Sequence, residues 1–159
     1  MRPALAGPGF RSTPPFYKMP NTTLLFTYGS LKQGFCNQHI NTGERVPGSY
    51  RTRERLPFYL MGDGHVPCVI LAPGTGHPVV GELYRADAAA LAGMDRLERI
   101  GEPGGYTRVT VALECIEGDA AEAVMAEMYV RLPTDVVPGE QRSEHLSEYT
   151  AAHAEKFVW

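Results

Sequence analysis

Apolar stretches rich in β-forming residues alternate along this chain with glycine- and proline-rich segments, a pattern typical of a protein built mainly of strands. Residues 23–28, TLLFTY, are apolar and stop at Gly29-Ser30, which predicts a buried strand that ends in a tight turn. Residues 45–60 also predict extended structure, interrupted at Gly48 and Pro57. We therefore expect a loop to follow directly on a core strand.

The middle of the chain is richer in turn-forming residues. Residues 61–78 contain several glycines and prolines around the apolar strip Val69-Ile70-Leu71, which predicts two loops flanking a short strand. Residues 79–85, VVGELYR, predict another strand. This region should therefore supply one short and one longer strand to the fold.

Apolar and polar residues alternate regularly in two neighbouring segments nearer the end of the chain. Residues 106–117 and 122–132 each place side chains of similar character on one face, at every second position. Gly118-Asp119 lies between them and supplies turn-forming residues. The two segments predict an antiparallel hairpin.

Three segments predict helical structure. Residues 88–99 are rich in alanine and leucine, and Asp87 precedes them as a residue that can cap the first amides of a helix. Residues 37–41 fit one or two helical turns, and residues 143–157 have helical character. Many strands with few helices favour an α+β domain that includes a small barrel.

Length and composition indicate a single folded domain. With 159 residues, 43% of them hydrophobic and 21% charged, the chain is long enough to bury a core. Residues 1–20 contain five prolines and no continuous apolar run, so we expect a flexible leader at 1–20 and the folded domain at 21–159.

Charge and cysteine content narrow the classes of partner and site. The net charge is −3, and 15 basic and 18 acidic residues are intermixed, which disfavours nucleic acid and anionic membranes as partners. Cys36, Cys68 and Cys115 lack the CxxC spacing of a zinc site, and the histidines show no HExxH spacing. We expect a cytoplasmic protein, a monomer or a homodimer, with no metal and no cofactor.

One carboxylate falls on an apolar stripe. Leu91, Met94 and Glu98 lie at i, i+3 and i+7, so on a regular helix Glu98 shares the face that the other two residues bury. Burial raises the pKa of a carboxyl group, and repulsion from Asp95 would act in the same direction. One interpretation is an acid/base poised near neutral pH; the other is that Glu98 pairs with a basic neighbour or that the helix ends before it.

Four short motifs occur in a fixed order, and together they resemble the γ-glutamyl cyclotransferase-like family, in particular its γ-glutamylamine cyclotransferase branch. Each motif alone is weak evidence, but four in order over residues 23–131 are specific. The motifs are YGSLKQG at 28–34, GELY at 81–84, MDRLE at 94–98 followed by YTR at 106–108, and EMYV at 127–130.

The resemblance implies a small mixed β-barrel with a few flanking helices, and a reaction within the substrate. The α-amino nitrogen of a γ-glutamyl group would attack its own γ-carbonyl, forming 5-oxoproline and releasing an amine without metal or cofactor. Glu98 would act as the acid/base, as family resemblance and its apolar position both suggest. The loop of Tyr28, Gly29, Ser30 and Leu31 would bind the α-carboxylate, because backbone amides of a tight turn can converge on one anion.

Two tyrosines and a region for the leaving amine complete the expected site. Tyr106 and Tyr129 are expected to donate hydroxyl hydrogen bonds to the ligand or to Glu98. The leaving amine is expected to face a wall of four residues: Phe58, Tyr59, Pro67 and Cys68.

Three alternatives stay open at this point. The same reaction would serve a γ-glutamyl dipeptide or a γ-glutamylated antibiotic intermediate as substrate. A second class is a binding module that holds a small carboxylate without catalysis. The third is a thiol hydrolase using Cys36, although spacing identifies no histidine partner for it.

Overall fold

The computed structural model describes residues 21–117 and 122–157, and within them the chain forms seven strands, two α-helices and two 3₁₀-helices. The strands are β1 (Thr22–Thr27), β2 (Glu44–Leu56), β3 (Phe58–Met61), β4 (Val66–Val69), β5 (His77–Asp87), β6 (Thr107–Cys115) and β7 (Val124–Val130). The helices are α1 (Ala88–Leu97) and α2 (Ala151–Ala154), and the 3₁₀-helices are Gln38–Ile40 and Pro133–Asp135.

Five of the strands close into a barrel in the order β1-β5-β2-β6-β7. β1 pairs antiparallel with β5 and parallel with β7, whereas the other neighbouring strands pair antiparallel. This mixed barrel confirms the expected fold class, and the pairing of β6 with β7 confirms the expected hairpin. The leader expected at residues 1–20 and the turn expected at Gly118-Asp119 lie outside the described residues.

A second, two-stranded sheet of β3 and β4 lies beside the barrel. β4 begins at Val66 and ends at Val69, so the short strand lies earlier in the chain than the apolar strip at residues 69–71 suggested. The reason is pairing: Phe58 is opposite Val69 and Met61 is opposite Val66, which makes a short hairpin of the two segments.

The barrel interior is filled by apolar side chains. Phe26, Leu83 and Met128 are fully buried there, one each from β1, β5 and β7. Tyr28 packs edge-on against Phe58, with ring centroids 5.0 Å apart, so the end of β1 is joined to the small β3–β4 sheet.

Helix α1 begins where the sequence predicts and ends two residues early. The Asp87 side chain accepts a hydrogen bond of 2.8 Å from the amide of Ala90, which is the expected N-cap. Arg99 has φ = 56°, a left-handed conformation that stops a helix. Buried Ala90 and Met94 pack α1 against β1 and β5, and in the described residues no helix has the length and apolar character needed to cross a bilayer.

The segment 143–157 is mostly irregular, and the expectation of a helix there is wrong except at Ala151–Ala154. Its backbone instead hydrogen-bonds to strands: the amide of Leu146 donates to Phe58 O (2.7 Å), and the amide of Val80 donates to Ser147 O (2.8 Å). Tyr149 is 1% exposed, and its carbonyl accepts from the buried Lys32 Nζ (2.6 Å). Contacts distant in sequence therefore outweigh the local helical preference of this segment.

Candidate functional site

A cavity of about 280 Å³ opens beside the carboxyl end of β1, a size close to that of small-molecule binding sites. Its walls come from the end of β1 and the loop that follows, from β4, from the end of α1, from β7 and from the tail. The residues expected to carry catalysis or to bind the glutamyl group all lie in these walls: Tyr28, Gly29, Ser30, Leu31, Glu98, Tyr106 and Tyr129. The other lining residues are Phe26, Thr27, Asn37, Val66, Pro67, Leu97 and Phe157.

The loop after β1 is a tight turn held by its own backbone and by Asn37. The amide of Lys32 donates to Gly29 O (3.1 Å), which closes the turn. Asn37 fixes Ser30 twice, through its amide to Ser30 O (3.0 Å) and through Nδ2 to Ser30 Oγ (2.8 Å). Within the described residues the amides of Ser30 and Leu31 donate no hydrogen bond, so they remain available to an anion in the cavity.

Gly29 is required by the close approach of Pro67. A Cβ atom at position 29 would lie 2.9 Å from Pro67 Cγ and 3.2 Å from Pro67 Cβ. Pro67 is itself held in place, because Tyr106 donates its hydroxyl to Pro67 O (2.9 Å). The glycine in this loop therefore lets β4 pack directly on the turn.

Glu98 is the residue that caps the carboxyl end of α1. Its amide donates to Met94 O (2.9 Å), and its carbonyl accepts from the amide of Tyr106 (2.9 Å), so its backbone is held on both sides. The helix does end before Glu98, as one of the two interpretations allowed, and the position is not part of a regular helical stripe. The side chain nevertheless lines the cavity.

The Glu98 carboxylate has no hydrogen-bond or ion-pair partner among the described residues, which excludes the expected alternative of a basic partner there. Burial raises its pKa to about 7, because the cavity wall removes water that would stabilise the charged form. Asp95 is not a cause of this shift, contrary to expectation. Its charge faces Arg108, whose Nε lies 3.1 Å from Asp95 Oδ1.

Three tyrosines surround this carboxylate. Burial raises the pKa of Tyr28, Tyr106 and Tyr129 well above the usual value, and the nearby negative charge of Glu98 adds to each shift, so all three phenols stay neutral. Tyr28 donates to Tyr129 O (2.9 Å) and accepts from the amide of Val69 (3.2 Å). The site thus combines one carboxyl group that titrates near neutrality with neutral hydroxyl groups.

The hydroxyl protons of Tyr106 and Tyr129 are donated within the protein, and the expectation that they donate to Glu98 is wrong. Donation to a ligand stays a prediction. Tyr129 donates to Asp95 Oδ1 (2.7 Å), as Tyr106 does to Pro67 O. A hydroxyl oxygen that donates its proton still has lone pairs to accept one. Each hydroxyl oxygen therefore keeps the capacity to accept a hydrogen bond.

A charged network behind Tyr129 was missed by the sequence analysis. Arg108 pairs with Asp95 and also with Glu127, so the carboxylate that holds the Tyr129 hydroxyl is itself held. The register of the β6–β7 hairpin could have indicated the pair of Arg108 and Glu127. Arg108 lies opposite Tyr129 and Thr110 lies opposite Glu127, which places Arg108 diagonal to Glu127. No local pattern, however, could bring Asp95 of α1 to the same point.

The expected wall for the leaving group is corrected in three of four positions. Pro67 lines the cavity, but Phe58 belongs to the barrel core, Cys68 is buried against Met61, and Tyr59 bonds His145 (2.7 Å). None of these three side chains is among the described residues that line the cavity. The walls contain instead three apolar residues that sequence reasoning did not name: Val66, Leu97 and Phe157.

Two further observations concern a thiol nucleophile and a metal site. Cys36 is exposed, and partial loss of water around its thiol raises its pKa, which disfavours the thiolate that a nucleophile requires. Among the described residues, no group of three or more histidine, cysteine, aspartate or glutamate side chains is placed to hold a metal ion.

Comparison with known proteins identifies matching relatives. The family model described as γ-glutamyl cyclotransferase, AIG2-like, matches residues 25–151. A relative from Arabidopsis thaliana is 38% identical over 102 residues, 60% of this chain, and the alignment spans about half of that protein (54%). The γ-glutamylaminecyclotransferase C of Danio rerio is 30% identical over 115 residues, which cover 69% of this chain and 74% of that protein.

A solved structure shares the fold. The crystal structure of an AIG2-like protein from Mus musculus superposes with a TM-score of 0.65 at 25% identity, over 79% of this chain and 88% of that one.

Proposed function

The chain belongs to the γ-glutamyl cyclotransferase, AIG2-like family, and on this premise we propose that it converts a γ-glutamylamine into 5-oxoproline and a free amine. The observation that carries the proposal is the pairing of two features in one cavity. Glu98 is a carboxyl group without a protein partner and with a pKa near 7, and the amides of Ser30 and Leu31 are unused donors for an anion.

The loop would bind the substrate α-carboxylate through its backbone amides. Two amide donors of one turn stabilise an anion without introducing a second charged side chain. The α-ammonium group would then lie between the Glu98 carboxylate and the tyrosine oxygens, which accept hydrogen bonds. These contacts fix the Cα end of the glutamyl group through both of its charged groups. The cavity would then keep the chain folded so that the nitrogen approaches its own γ-carbonyl carbon, an orientation effect worth up to about 7–11 kcal/mol in well-built cases.

Glu98 would transfer protons in both halves of the reaction. Its carboxylate removes a proton from the α-ammonium, and the nitrogen then forms a bond to the γ-carbonyl carbon. The protonated Glu98 delivers that proton to the amide nitrogen as the C–N bond breaks. The attacking nitrogen loses two protons in total, and the released amine gains two to leave as an ammonium ion. A pKa near 7 suits both steps at neutral pH.

The relatives named γ-glutamylaminecyclotransferase support an amine rather than an amino acid as the leaving group. Within the described residues the cavity walls contain no lysine or arginine that would pair with the carboxylate of a dipeptide. All three cysteines are free thiols, which supports our proposal of a reducing, cytoplasmic location.

The reaction is tested by measuring 5-oxoproline release from γ-glutamylbutylamine, γ-glutamylglycine and glutathione. The α-glutamyl isomer of the butylamide is the control, because its α-carboxylate is blocked by the amide. We expect 5-oxoproline from the γ-linked butylamide and none from the α-linked one. Binding of the γ-linked compound by the folded protein without release would favour a non-catalytic module, and release from the dipeptides alone would identify them as the substrate class.

Substitution of Gly29 by alanine is expected to raise KM about tenfold with a smaller change in kcat, because the new methyl group would displace the carboxylate-binding turn from Pro67. Steady-state kinetics with the γ-glutamylbutylamide measure this. Gly93→Ala is the matched control, since a Cβ there lies 3.9 Å from its nearest neighbours. Equal KM values for the two variants would show that the turn does not bind the substrate.

A further inference from the structure

Lys32 has a buried side chain that lies outside the cavity. It is 5% exposed, and it is not among the described residues that line the cavity. Its Nζ donates a hydrogen bond of 2.6 Å to Tyr149 O and lies 4.7 Å from the centroid of the Phe35 ring. The Phe35 ring packs in turn against the Tyr149 ring, with centroids 5.4 Å apart. One ammonium group therefore holds the tail against the loop that follows β1.

The charge of Lys32 is compensated from two parts of the molecule. An ammonium group that is taken out of water costs free energy unless it has partners. Burial lowers the pKa of Lys32, the negative charges of Glu148 and Glu82 oppose this shift, and Arg45 adds to it. Glu82 belongs to β5 and Glu148 to the tail, so the barrel and the tail together stabilise the charged form.

The tail after Tyr149 forms a small unit that ends in the cavity wall. The amide of Ala154 donates to Thr150 O (3.0 Å) and the amide of Phe157 donates to Ala154 O (3.1 Å), so these bonds run within the segment. Among the described lining residues, Phe157 is the one from the tail. Helix α2 has four residues, and a helix this short is unstable in isolation. The unit therefore persists only while it is docked, and Tyr149 lies at its start.

Resting on the proposed function, we propose that Lys32 is a positioning residue that docks the tail through Tyr149 and thereby holds Phe157 in the wall of the substrate cavity. The backbone of Lys32 closes the turn by donating to Gly29 O, while its side chain anchors the tail. Two segments that line the cavity therefore share one residue. Loss of the ammonium group should release the tail without breaking the turn, and it should weaken substrate binding more than catalysis.

Amide hydrogen exchange of the ligand-free protein tests the docking independently of any activity. Lys32→Met keeps a long unbranched side chain but removes the charge and the donor. We expect the amides of Ala154 and Phe157 to exchange at least about tenfold faster in this variant, because the unit undocks more often. The amides of Val80 and Leu146 join β5 and β3 to earlier residues of the tail, and their exchange should stay within about twofold of wild type.

Kinetics of 5-oxoproline release test the effect on the reaction. Lys32→Met is expected to raise KM for γ-glutamylbutylamine about five- to tenfold, with kcat within about twofold of wild type. Phe157→Ala should raise KM by a similar factor. The double variant should match Phe157→Ala, because both changes remove the same wall, whereas independent contributions would multiply. Lys156→Met makes the same chemical change at an exposed position of the tail and should leave KM within about twofold of wild type.

The outcomes separate the docking of the tail from the proposed function. Equal exchange of Ala154 and Phe157 in wild type and Lys32→Met, or equally faster exchange at Val80 and Leu146, overturns the docking role. An unchanged KM, the same rise in Lys156→Met, or factors that multiply in the double variant overturns the positioning of the cavity wall by Lys32. Absence of 5-oxoproline release by the wild type overturns the proposed function, whereas the exchange rates still decide whether Lys32 docks the tail.

Discussion

Replacing Glu98 by glutamine is expected to lower kcat for 5-oxoproline release by about 10²–10⁴-fold, the usual contribution of a positioned acid/base. Glutamine keeps the size and the backbone contacts to Met94 and Tyr106 but cannot accept the proton from the substrate ammonium. Substrate binding should persist, because the turn that would hold the α-carboxylate is untouched. The measurement is kcat and KM with γ-glutamylbutylamine, together with direct binding of the same compound to the Glu98→Gln variant, which turns it over slowly.

A matched variant separates catalysis from a general effect of charge. Glu102→Gln makes the same chemical change at a side chain that is 58% exposed and pairs with Arg99 at the surface. Its activity should stay within about twofold of wild type, as exposed ion pairs contribute little. In the wild type, kcat/KM should also rise with pH through about 7 as Glu98 loses its proton. Equal activity of the Glu98 and Glu102 variants would exclude Glu98 as the acid/base.

The same glutamine substitution is expected to stabilise the protein at alkaline pH. The pKa of Glu98 is about 7 in the folded state, against an ordinary value of 4.5, so between these values the folded protein binds more protons than the unfolded chain. Its stability therefore falls as pH rises from about 4.5 to about 7, and the full loss is present above pH 7. Glutamine carries no charge and avoids this loss, so the free energy of unfolding of the variant should exceed that of the wild type by at most about 3 kcal/mol. The difference is smaller because the Glu98 side chain is partly exposed and water reaches the carboxylate.

Urea unfolding of wild type, Glu98→Gln and Glu102→Gln at pH 4 and pH 8 measures this effect. The Glu98 variant should match the wild type at pH 4 and exceed it at pH 8. The Glu102 variant should follow the wild type at both values. Curves that stay parallel for all three proteins would show that the Glu98 carboxylate is well solvated, which would remove the physical basis for an acid/base with a raised pKa.

Local patterns predicted those elements whose structure depends on neighbouring residues. The strand before Gly29, the helix start at Asp87 and the β6–β7 pairing follow from apolar runs, a capping side chain and alternation. The prediction of a helix at residues 143–157 was wrong because the backbone of this segment hydrogen-bonds to β3 and β5, far away in the chain. Such bonds leave no trace in the spacing of side chains within the segment.

Glu98 shows the same contrast between local pattern and tertiary contact within the candidate site. The sequence selected this residue through a helical stripe, whereas the helix ends at Leu97 and the side chain enters the cavity from a capping position. The burial that raises its pKa comes from the cavity wall. The expectation for the pKa therefore agreed in direction, but its cause was partly different.

By itself, the sequence determined the family, the mixed barrel and a short set of candidate residues. Ordered motifs and periodic apolar positions can be recognised along the chain without knowing which residues contact each other. Only the tertiary structure decided what those residues face. Tyr28 reaches Tyr129 across 101 positions of the chain, Asp95 meets Tyr129 across 34, and Phe157 lies in the same cavity as Glu98. Closure of the barrel brings these groups together, and hydrogen-bond direction, burial and pKa are properties of that proximity, which no local pattern contains.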